Sequence, residues 1–215
     1  MTSGALTLVI DTCLAACQVA ATDGARLLAS ASEPMERGHQ ERLATMAAEV
    51  VAAAGLAFAE LGKVVATIGP GSFTGMRVGL AFARGVAMAS GAPLAGVGTL
   101  RALAASGGDG GVSAGVIDAR RGLVYMQAFD GDAPLMDPDV LPIGEATLQL
   151  ARLGPGALRL VGPGAGLLAH ALGHAIVDAR PAPDLAALAR LAATAAPDPA
   201  LRPLYLRAPD AKLPA

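Results

Sequence analysis

The sequence is poor in the residues with which proteins hold nucleic acid. Its 215 residues include no tryptophan and only six aromatic residues, four phenylalanines and two tyrosines. Charged residues make up 16%, below the quarter that is usual for soluble domains, and the formal net charge is −2. Clustered cationic side chains hold a phosphate backbone, and exposed rings stack on single-stranded bases. We therefore expect no basic face and no base-stacking platform with which this chain could hold RNA on its own.

Residues that bind metal ions or form disulfides are also scarce. The two cysteines, Cys13 and Cys17, have a CxxxC spacing that is neither a CxxC redox motif nor a zinc pattern. We expect both to be small buried side chains in a reducing cytosol. His170 and His174 lie four residues apart, a spacing at which a helix can place two side chains on one metal ion. Because Gly173 adjoins the pair and no third ligand is evident nearby, the sequence favours a solvated helix end.

Apolar runs of bilayer length are missing, although 53% of the residues are hydrophobic. The stretch that most resembles a membrane span, residues 85–100, contains Pro93 and is bounded by Arg84 and Arg101. It is shorter than the ~20 residues that a membrane helix needs. The first cationic side chain is Arg26, so we expect no secretory signal and a cytoplasmic protein. Apolar surface beyond the needs of one core indicates burial against a partner subunit.

Two short motifs occur twice in the same order. Val9-Ile10-Asp11 is followed, after a helical stretch, by Gly69-Pro70-Gly71, and Val116-Ile117-Asp118 is followed by Gly162-Pro163-Gly164. In both halves the aspartate ends a short apolar run typical of a strand, and the glycine turn separates a strand from a helix. The duplication predicts two α/β lobes with a cleft between them, an architecture that usually handles a phosphorylated ligand.

The elements between these motifs match as well. Hydrophobic periodicity predicts the order strand, strand, strand, helix, strand, helix, strand, helix in each half. In the first half the elements cover residues 6–11, 17–22, 26–32, 39–54, 64–68, 74–90, 93–97 and 100–105, with a hairpin turn at Asp23-Gly24 and Gly55 ending the first helix. In the second half they cover residues 113–118, 123–129, 140–143, 145–152, 158–161, 167–172, 175–177 and 185–194.

The glycine-rich residues 107–111 form the predicted hinge between a first lobe, residues 1–106, and a second lobe, residues 112–215. The last helix is a candidate to cross back onto the first lobe. At the level of fold, the prediction is similar to the actin-like duplicated two-lobe α/β architecture of actin, Hsp70 and the sugar kinases, in which each lobe is a mixed sheet with helices. Such a likeness gives no function by itself.

The densest motif is residues 69–79, a strand-to-helix turn that contains four glycines. Its glycines permit left-handed or closely approached backbone, and Thr74 is placed to cap the helix. A helix N-terminus of this kind can bind phosphate through free N–H groups. The turn lacks the Lys-Ser/Thr of a P-loop and is not a GxGxxG fingerprint. The residues alone leave both a plain tight turn and a phosphate site open.

Asp11 and Asp118 end equivalent strands, so in a two-lobed cleft they could hold a hydrated Mg²⁺ between them. The alternative, which the sequence favours, is a turn carboxylate satisfied by local backbone N–H groups. Asp11, Gly69, Gly71 and Asp118 are therefore weak candidates for nucleotide or Mg²⁺ binding, and we expect no resident cofactor, no metal and no catalytic residue. The pattern assigns no role to His39, the one histidine of the first lobe.

Several segments resemble the bacterial TsaB (YeaZ) family. They occur in order over nearly the whole chain, as VIDT at residues 9–12, HQERL at 39–43, IGPGSFTGMRVG at 68–79, GVGTL at 96–100, DARRGLVY at 118–125 and PLYLR at 203–207. The resemblance implies a non-catalytic subunit of the machinery that makes threonylcarbamoyladenosine at position 37 of tRNAs reading ANN codons. It implies the catalytic transferase TsaD and the ATPase TsaE as partners, a separate enzyme that supplies threonylcarbamoyl-AMP, and tRNA bound only through the complex.

Two features bear on the alternatives, which are a stand-alone ATP-dependent phosphotransferase and a glycoprotease-like metallopeptidase of the same superfamily. Residue 13 is cysteine where the family commonly has serine after Asp-Thr, which weakens a phosphate-binding hairpin there. The catalytic paralogue carries an HxxxH metal pair shortly after its glycine turn, whereas residues 96–102 contain no histidine. The missing pair argues against the peptidase, and the few polar cleft groups argue against the kinase.

The helix predicted at residues 74–90 is apolar nearly all the way round, since only Arg77 and Arg84 carry charge. A helix on one sheet face needs a single apolar stripe, so the extra width here and on the preceding helix predicts half of a four-helix bundle with a partner. TsaB-like proteins pair through their first-lobe helices, and the resemblance implies the same here. We expect a homodimer that exchanges for a heterodimer with the catalytic paralogue; the alternative is that both helices are sandwiched inside the monomer. The predicted contacts are Leu43, Met46, Val50, Met76, Leu80, Ala83 and Ala87.

Overall fold

The computed structural model describes residues 4–108, 110–154 and 156–207, whose backbone forms two lobes with one mixed sheet each. The first lobe runs in the order β1 (Leu6–Asp11), β2 (Ala16–Asp23), β3 (Arg26–Pro34), α1 (His39–Ala53), β4 (Lys63–Thr67), α2 (Phe73–Ser90), β5 (Leu94–Val97) and α3 (Thr99–Ser106). A 3-10 helix, Phe58–Glu60, precedes β4 and was not predicted. The sheet order is β3-β2-β1-β4-β5, antiparallel among the first three strands and parallel from β1 to β5.

The second lobe repeats this arrangement. It runs in the order β6 (Val112–Arg120), β7 (Leu123–Asp130), β8 (Ala133–Pro134), β9 (Asp139–Pro142), α4 (Ile143–Ala151), β10 (Leu158–Val161), α5 (Ala165–Ala169), β11 (Ile176–Asp178) and α6 (Leu185–Thr194). The sheet order is β11-β10-β6-β7-β8, and β9 also pairs with β7. As in the first lobe, the central strand is antiparallel to the strand after it and parallel to the strand before the second helix. The predicted duplicated two-lobe α/β architecture is confirmed.

Local signals in the first lobe explain where its elements end. Gly24, with φ +58°, turns the β2–β3 hairpin, and Gly55, with φ +72°, follows the end of α1. The helix α2 begins one residue earlier than predicted because Ser72 is its N-cap. The Ser72 hydroxyl accepts a hydrogen bond from the Gly75 N–H. The prediction that Thr74 caps this helix was therefore wrong.

The largest shifts from the prediction lie around the second glycine turn. The Gly164 N–H donates to the Val116 carbonyl, which ties the turn to β6, and α5 begins at once with Ala165. The helix is thus shorter and earlier than the predicted residues 167–172. In the predicted hinge, Gly108, Gly110 and Gly111 all have positive φ, while residue 109 lies outside the described residues.

The helix α6 packs on the first sheet, although it comes last in the chain. Leu188 and Leu191 join a buried cluster with Val9 and Val65 of the central strands. At the C-terminal end of α6, the Lys63 Nζ donates to three backbone carbonyls at 2.8, 3.1 and 3.4 Å. The second half of the chain therefore completes the core of the first lobe. In the part of the chain that the structure describes, no helix is both long and apolar enough to cross a membrane.

Candidate functional site

A cleft with a volume of about 440 Å³ lies between the two lobes. Its walls come from the β1–β2 turn, the turn before α2, and the β6–β7 turn. The charged residues that line it are Glu36, Asp118 and Arg120. Of the candidate nucleotide or Mg²⁺ residues, Gly71 and Asp118 line this cleft, whereas Asp11 and Gly69 are buried. The structure therefore divides the four candidates between the cleft wall and the protein interior.

The turn before α2 packs directly against the β1–β2 turn. The Ser72 N–H donates to the Cys13 carbonyl at 2.7 Å, and the Thr12 hydroxyl donates to the Gly75 carbonyl at 2.7 Å. A Cβ added to Gly71 would lie 2.2 Å from the Cys13 carbonyl oxygen, and one added to Gly75 would lie 2.0 Å from the Thr12 carbonyl oxygen. These glycines are required because two backbone segments touch.

Because of this packing, N–H groups at the start of α2 are hydrogen-bonded to other groups of the protein. The N–H groups of Ser72 and Gly75 donate to the Cys13 carbonyl and to the Ser72 hydroxyl. The helix dipole would favour an anion here, but the β1–β2 turn lies against the same end of the helix. The Ser72 and Gly75 N–H groups are therefore not free to bind a phosphate. The geometry favours the plain tight turn over a phosphate site.

The glycine turn of the second lobe is built in the same way. A Cβ on Gly162, which has φ +122°, would lie 2.5 Å from the Val116 carbonyl oxygen. A Cβ on Gly164 would lie 2.7 Å from the Asp118 backbone nitrogen. Both turns therefore press on the chain at the end of the central strand of their own sheet. The duplicated Gly-Pro-Gly motif has a packing role in each lobe.

Asp11 is enclosed in the first lobe and only 1% exposed. Its Oδ1 accepts hydrogen bonds from the Thr67 hydroxyl at 2.6 Å and from the Cys13 N–H at 3.1 Å. Its Oδ2 is buried and has no hydrogen-bond partner among the described residues. Burial raises the pKa of Asp11, and the hydrogen bond from Thr67 opposes that rise. A carboxyl group so enclosed is not a ligand that the cleft presents.

Asp118 lies at the cleft, and its side chain is 33% exposed. One carboxylate oxygen accepts from the Arg120 N–H at 2.7 Å, and the other pairs with the Arg120 guanidinium at 3.1 Å. Arg120 and Arg121 both have positive φ in this turn. Asp118 is thus satisfied by its own turn, as the sequence favoured. The structure does not bring Asp11 and Asp118 together as accessible ligands of one ion.

The histidine pair does not share a helix. His170 directly follows the last residue of α5, and both His170 and His174 are exposed. Within residues 4–108, 110–154 and 156–207, no group of three His, Cys, Asp or Glu side chains is placed to hold a metal ion. His39 is buried at the start of α1, where its Nε2 lies 3.3 Å from a β2 carbonyl oxygen.

Both cysteines are free and buried, as predicted. Burial raises the pKa of the Cys13 thiol to about 12 and that of Cys17 to about 11. The Cys13 Sγ lies 3.0 Å from the Thr67 hydroxyl oxygen. Because the thiolate is the reactive form of cysteine, neither thiol is equipped as a nucleophile.

The residues predicted to contact a partner need correction. All are buried within this single chain, with exposed fractions between 0 and 8%; they are Leu43, Met46, Val50, Met76, Leu80, Ala83 and Ala87. Most of them form the first-lobe core, because α1 and α2 pack on each other as well as on the sheet. The outward faces of these helices, and not the predicted residues, are open to contact; they expose Ala44, Thr45, Ala48, Ala52, Ala81, Gly85 and Met88.

Residues 203–207, which we call the strap, run between the lobes at the edge of the cleft. The Leu204 N–H donates to the Ile68 carbonyl at 2.7 Å, and the Tyr205 hydroxyl accepts from the Arg77 Nε at 2.9 Å. The Arg207 guanidinium donates to the carbonyl of Ala119 in the second lobe at 3.1 Å. The strap therefore binds both lobes. Only the family resemblance marked this segment, since its contacts join residues about a hundred positions apart.

Comparison with known proteins identifies the family. Residues 31–159 match the family model described as TsaD, tRNA N6-adenosine threonylcarbamoyltransferase. The chain belongs to this family. An uncharacterised protein of Mycobacterium tuberculosis is 38% identical over 185 residues, which are 82% of this chain and 78% of that protein. The tRNA threonylcarbamoyladenosine biosynthesis protein TsaB of Escherichia coli is 33% identical over 128 residues, 58% of this chain and 55% of that protein.

A solved structure agrees with this assignment. YeaZ from Pseudomonas aeruginosa has a TM-score of 0.77 and 26% identity, and the match covers 94% of this chain and 100% of that one. The resemblance to TsaB and YeaZ that the sequence motifs indicate is confirmed, together with the actin-like two-lobe fold. Within its family, the chain is TsaB/YeaZ-like.

Proposed function

We propose that this chain is a non-catalytic subunit of the machinery that adds threonylcarbamoyl to N6 of adenosine 37 in tRNAs reading ANN codons. The family match and the likeness to TsaB and YeaZ support the pathway. One observation carries the non-catalytic role: at the α2 glycine turn the Thr12 and Cys13 backbone lies against Gly71 and Gly75, and the Ser72 and Gly75 N–H groups are already hydrogen-bonded within the protein. A transferase or kinase that handles a nucleotide-linked substrate needs to place a phosphate in its cleft.

The side chains of the cleft support the same conclusion. Its charged lining residues are Glu36, Asp118 and Arg120, and Asp118 is already paired with Arg120. Asp11 is enclosed, and its raised pKa disfavours the charged form that would bind Mg²⁺. Catalysis by charge stabilisation needs preorganised donors aimed into the cleft. No observation favours the phosphotransferase or the metallopeptidase alternative, so we assign the chain a scaffolding and activating role.

The outward faces of α1 and α2 support pairing with a TsaD-like catalytic subunit. They expose mostly small side chains, which let a second pair of helices approach closely, together with Met88 at 85% exposure. We propose that the chain is a homodimer when alone and exchanges for the heterodimer through this surface. A TsaE-like ATPase joins the complex, tRNA binds through the complex, and the assembly is cytoplasmic.

Reconstitution tests the function. The TsaD-like and TsaE-like proteins of the same host are incubated with a source of threonylcarbamoyl-AMP and an ANN-reading tRNA, with and without this chain. Nucleoside mass spectrometry should detect the modification only when the chain is present. The isolated chain should show no ATP hydrolysis, peptidase activity or threonylcarbamoyl transfer, and should bind tRNA poorly in an electrophoretic shift. Robust turnover by the isolated chain, lost in Asp118→Ala, would replace this proposal with the enzyme alternative.

Introducing a negative charge on the outward helix face tests the pairing surface. Ala81→Glu and Ala48→Glu place a carboxylate on exposed positions, so the variants should stay folded but sediment as monomers and fail to bind the catalytic subunit. Leu148→Glu, at a 61% exposed position in the second lobe, is the matched control and should remain dimeric. By contrast, Leu80→Glu buries a charge in the core and should unfold the chain. Dimers that persist in Ala81→Glu and Ala48→Glu would rule out this face.

A further inference from the structure

Half of the aromatic residues of this chain meet in one groove between the strap and the cleft. The groove has a volume of about 180 Å³ and opens beside the main cleft, with which it shares Gly71, Ala119, Arg120 and Tyr125. Phe73, Tyr125 and Tyr205 line it, three of only six such residues in the sequence. We call this space the strap groove. The low aromatic content that argued against a stacking platform did not reveal this concentration.

Contacts within the protein hold the rings of the strap groove in place. The guanidinium carbon of Arg77 lies 3.8 Å from the centroid of the Phe73 ring, and the Arg77 Nε donates to the Tyr205 hydroxyl at 2.9 Å. The Phe73 and Tyr205 rings are 5.3 Å apart and tilted by 33°. Both remain partly exposed, at 38% and 42%. Rings that are already fixed lose little conformational freedom when a planar ligand stacks on them.

Charge distinguishes the strap groove from the main cleft. Among the residues that the structure describes, those that line the groove include Arg120 and Arg207 and no acidic residue, whereas the main cleft is lined by Glu36 and Asp118 as well as Arg120. Arg207 donates to the backbone carbonyl of Ala119, and Arg120, which pairs with Asp118 at 3.1 Å, keeps its side chain 85% exposed, so its remaining N–H groups can face a ligand. Guanidinium groups are suited to phosphate recognition. An anion with a flat ring therefore fits the strap groove better than the main cleft.

We propose that the strap groove binds one nucleotide, with its base stacked on Tyr205 and its phosphate facing Arg120 and Arg207. This inference goes beyond the proposed function, which gives this chain no nucleotide site of its own. A free mononucleotide and an unpaired nucleotide of an RNA loop offer the same chemistry. One stacked base and one phosphate give weak binding, in keeping with poor retention of a whole tRNA by the isolated chain.

Titration of the intact, isolated chain tests the site, with binding followed by amide NMR shifts and calorimetry. One arm uses AMP, and a second uses an RNA hairpin with seven unpaired loop nucleotides beside a fully paired duplex of equal length. Saturable binding of AMP alone identifies a free nucleotide as the ligand. Hairpin binding that exceeds duplex binding identifies an unpaired RNA nucleotide. Either result supports the site if Tyr205→Leu and Arg120→Ala each weaken binding about fivefold or more.

Two matched variants keep the test specific. Tyr205→Phe retains the ring and should retain binding, and Arg152→Ala removes an exposed arginine at the end of α4 and should also retain it. Thermal unfolding verifies that each variant is folded. If Tyr205→Leu does not fold, the binding measured for Arg120→Ala decides the test. No saturable binding in either arm, binding that every variant retains, or a loss confined to Arg120→Ala in folded proteins would overturn the proposal. The reconstitution experiment does not depend on this outcome, so the two can fail separately.

Discussion

The two central strands, β1 and β6, contain the same Val-Ile-Asp sequence, at the end of β1 and two residues before the end of β6, but place their aspartates in opposite environments. In the first lobe Ile10 pairs with Ala66, so Asp11 lies beside Thr67 at the end of β4 and receives a hydrogen bond from its hydroxyl. In the second lobe the last β6 residue paired with β10 is Gly115, three residues before Asp118. Asp118 therefore extends beyond its parallel neighbour and folds back on its own turn.

This difference shows what a duplicated fold copies and what it does not. Apart from the short additional strand β8 in the second lobe and the 3-10 helix in the first, both lobes have the same order of elements, and the glycine turns pack closely in both. The chemistry of each aspartate depends on the register of a strand far away in sequence. A shared motif is thus evidence for shared scaffolding, and the surrounding contacts decide whether the aspartate is an interior group or a surface group.

The largest expected effect on stability comes from a side chain that forces the β1–β2 turn away from the start of α2. Gly75→Ala places a Cβ 2.0 Å from the Thr12 carbonyl oxygen, so it should lower the free energy of unfolding by ~3 kcal/mol or more. Gly85→Ala, in the same helix, meets no atom within 4 Å and should be neutral or stabilise by up to ~1 kcal/mol. Urea unfolding measures both. Equal stabilities of the two variants would mean that the β1–β2 turn moves easily and does not keep a phosphate from the start of α2.

A direct comparison of the two aspartates should give the next largest effect. Asp11→Ala leaves the buried Cys13 N–H and Thr67 hydroxyl without their acceptor, which should cost ~2 kcal/mol of stability. Asp118→Ala removes a partly exposed turn contact and should cost ~1 kcal/mol or less. Thermal and urea unfolding of both variants measure which loses more stability. If Asp118→Ala were the more damaging change, the contrast drawn between the lobes would be reversed.

Lys63→Met tests the contact by which the second half completes the first. It removes the ammonium group that binds three carbonyls at the end of α6, so we expect a loss of ~1–2 kcal/mol and faster amide exchange in α6. Arg190→Met is the control, because this exposed side chain donates to the single carbonyl of Ala105 and should change stability by less than ~0.5 kcal/mol. Unchanged amide exchange in α6 of Lys63→Met would show that apolar packing alone holds this helix on the first sheet.

The smallest expected effect is on the pH dependence of stability. Burial raises the pKa of Asp11 above 3.8, so above that pH the folded chain retains a proton that the unfolded chain releases. The free energy of unfolding should therefore fall as pH rises from about 4 toward the folded-state pKa. Asp11→Asn should flatten this fall, and Thr67→Val should extend it to higher pH, because it removes a hydrogen bond that lowers the pKa of Asp11. Identical slopes in wild type and Asp11→Asn would show that Asp11 does not titrate on unfolding.

Features that depend on nearby residues were predictable from the sequence. The hairpin at Gly24, the end of α1 at Gly55 and the repeated element order all follow from turn chemistry and periodicity. The cap of α2 was misassigned by two residues because Ser72 and Thr74 are both of a type that caps helices, and the geometry of the turn selects Ser72.

Features that depend on distant residues were not predictable. Leu43 and Leu80 have the apolar spacing of a partner surface, but α1 and α2 use that width to pack on each other and on the sheet. The same limit applies to Asp11 and Asp118, whose local sequences are alike. It also applies to Tyr205, which meets Arg77 from a position 128 residues later. Periodicity describes one element at a time and holds no information on which elements share a surface.

Because α6 comes last in the chain but packs on the sheet of the first lobe, that sheet is synthesised well before the helix that covers it. When residues 4–106 have left the ribosome, the face of the first sheet that carries Val9 and Val65 is still uncovered. Its cover, α6, emerges about ninety residues later, a delay on the order of ten seconds at ordinary rates of translation. A fragment that ends at the hinge should therefore expose this apolar face and aggregate unless a chaperone binds it. The nascent first lobe buries the face only when α6 has been synthesised.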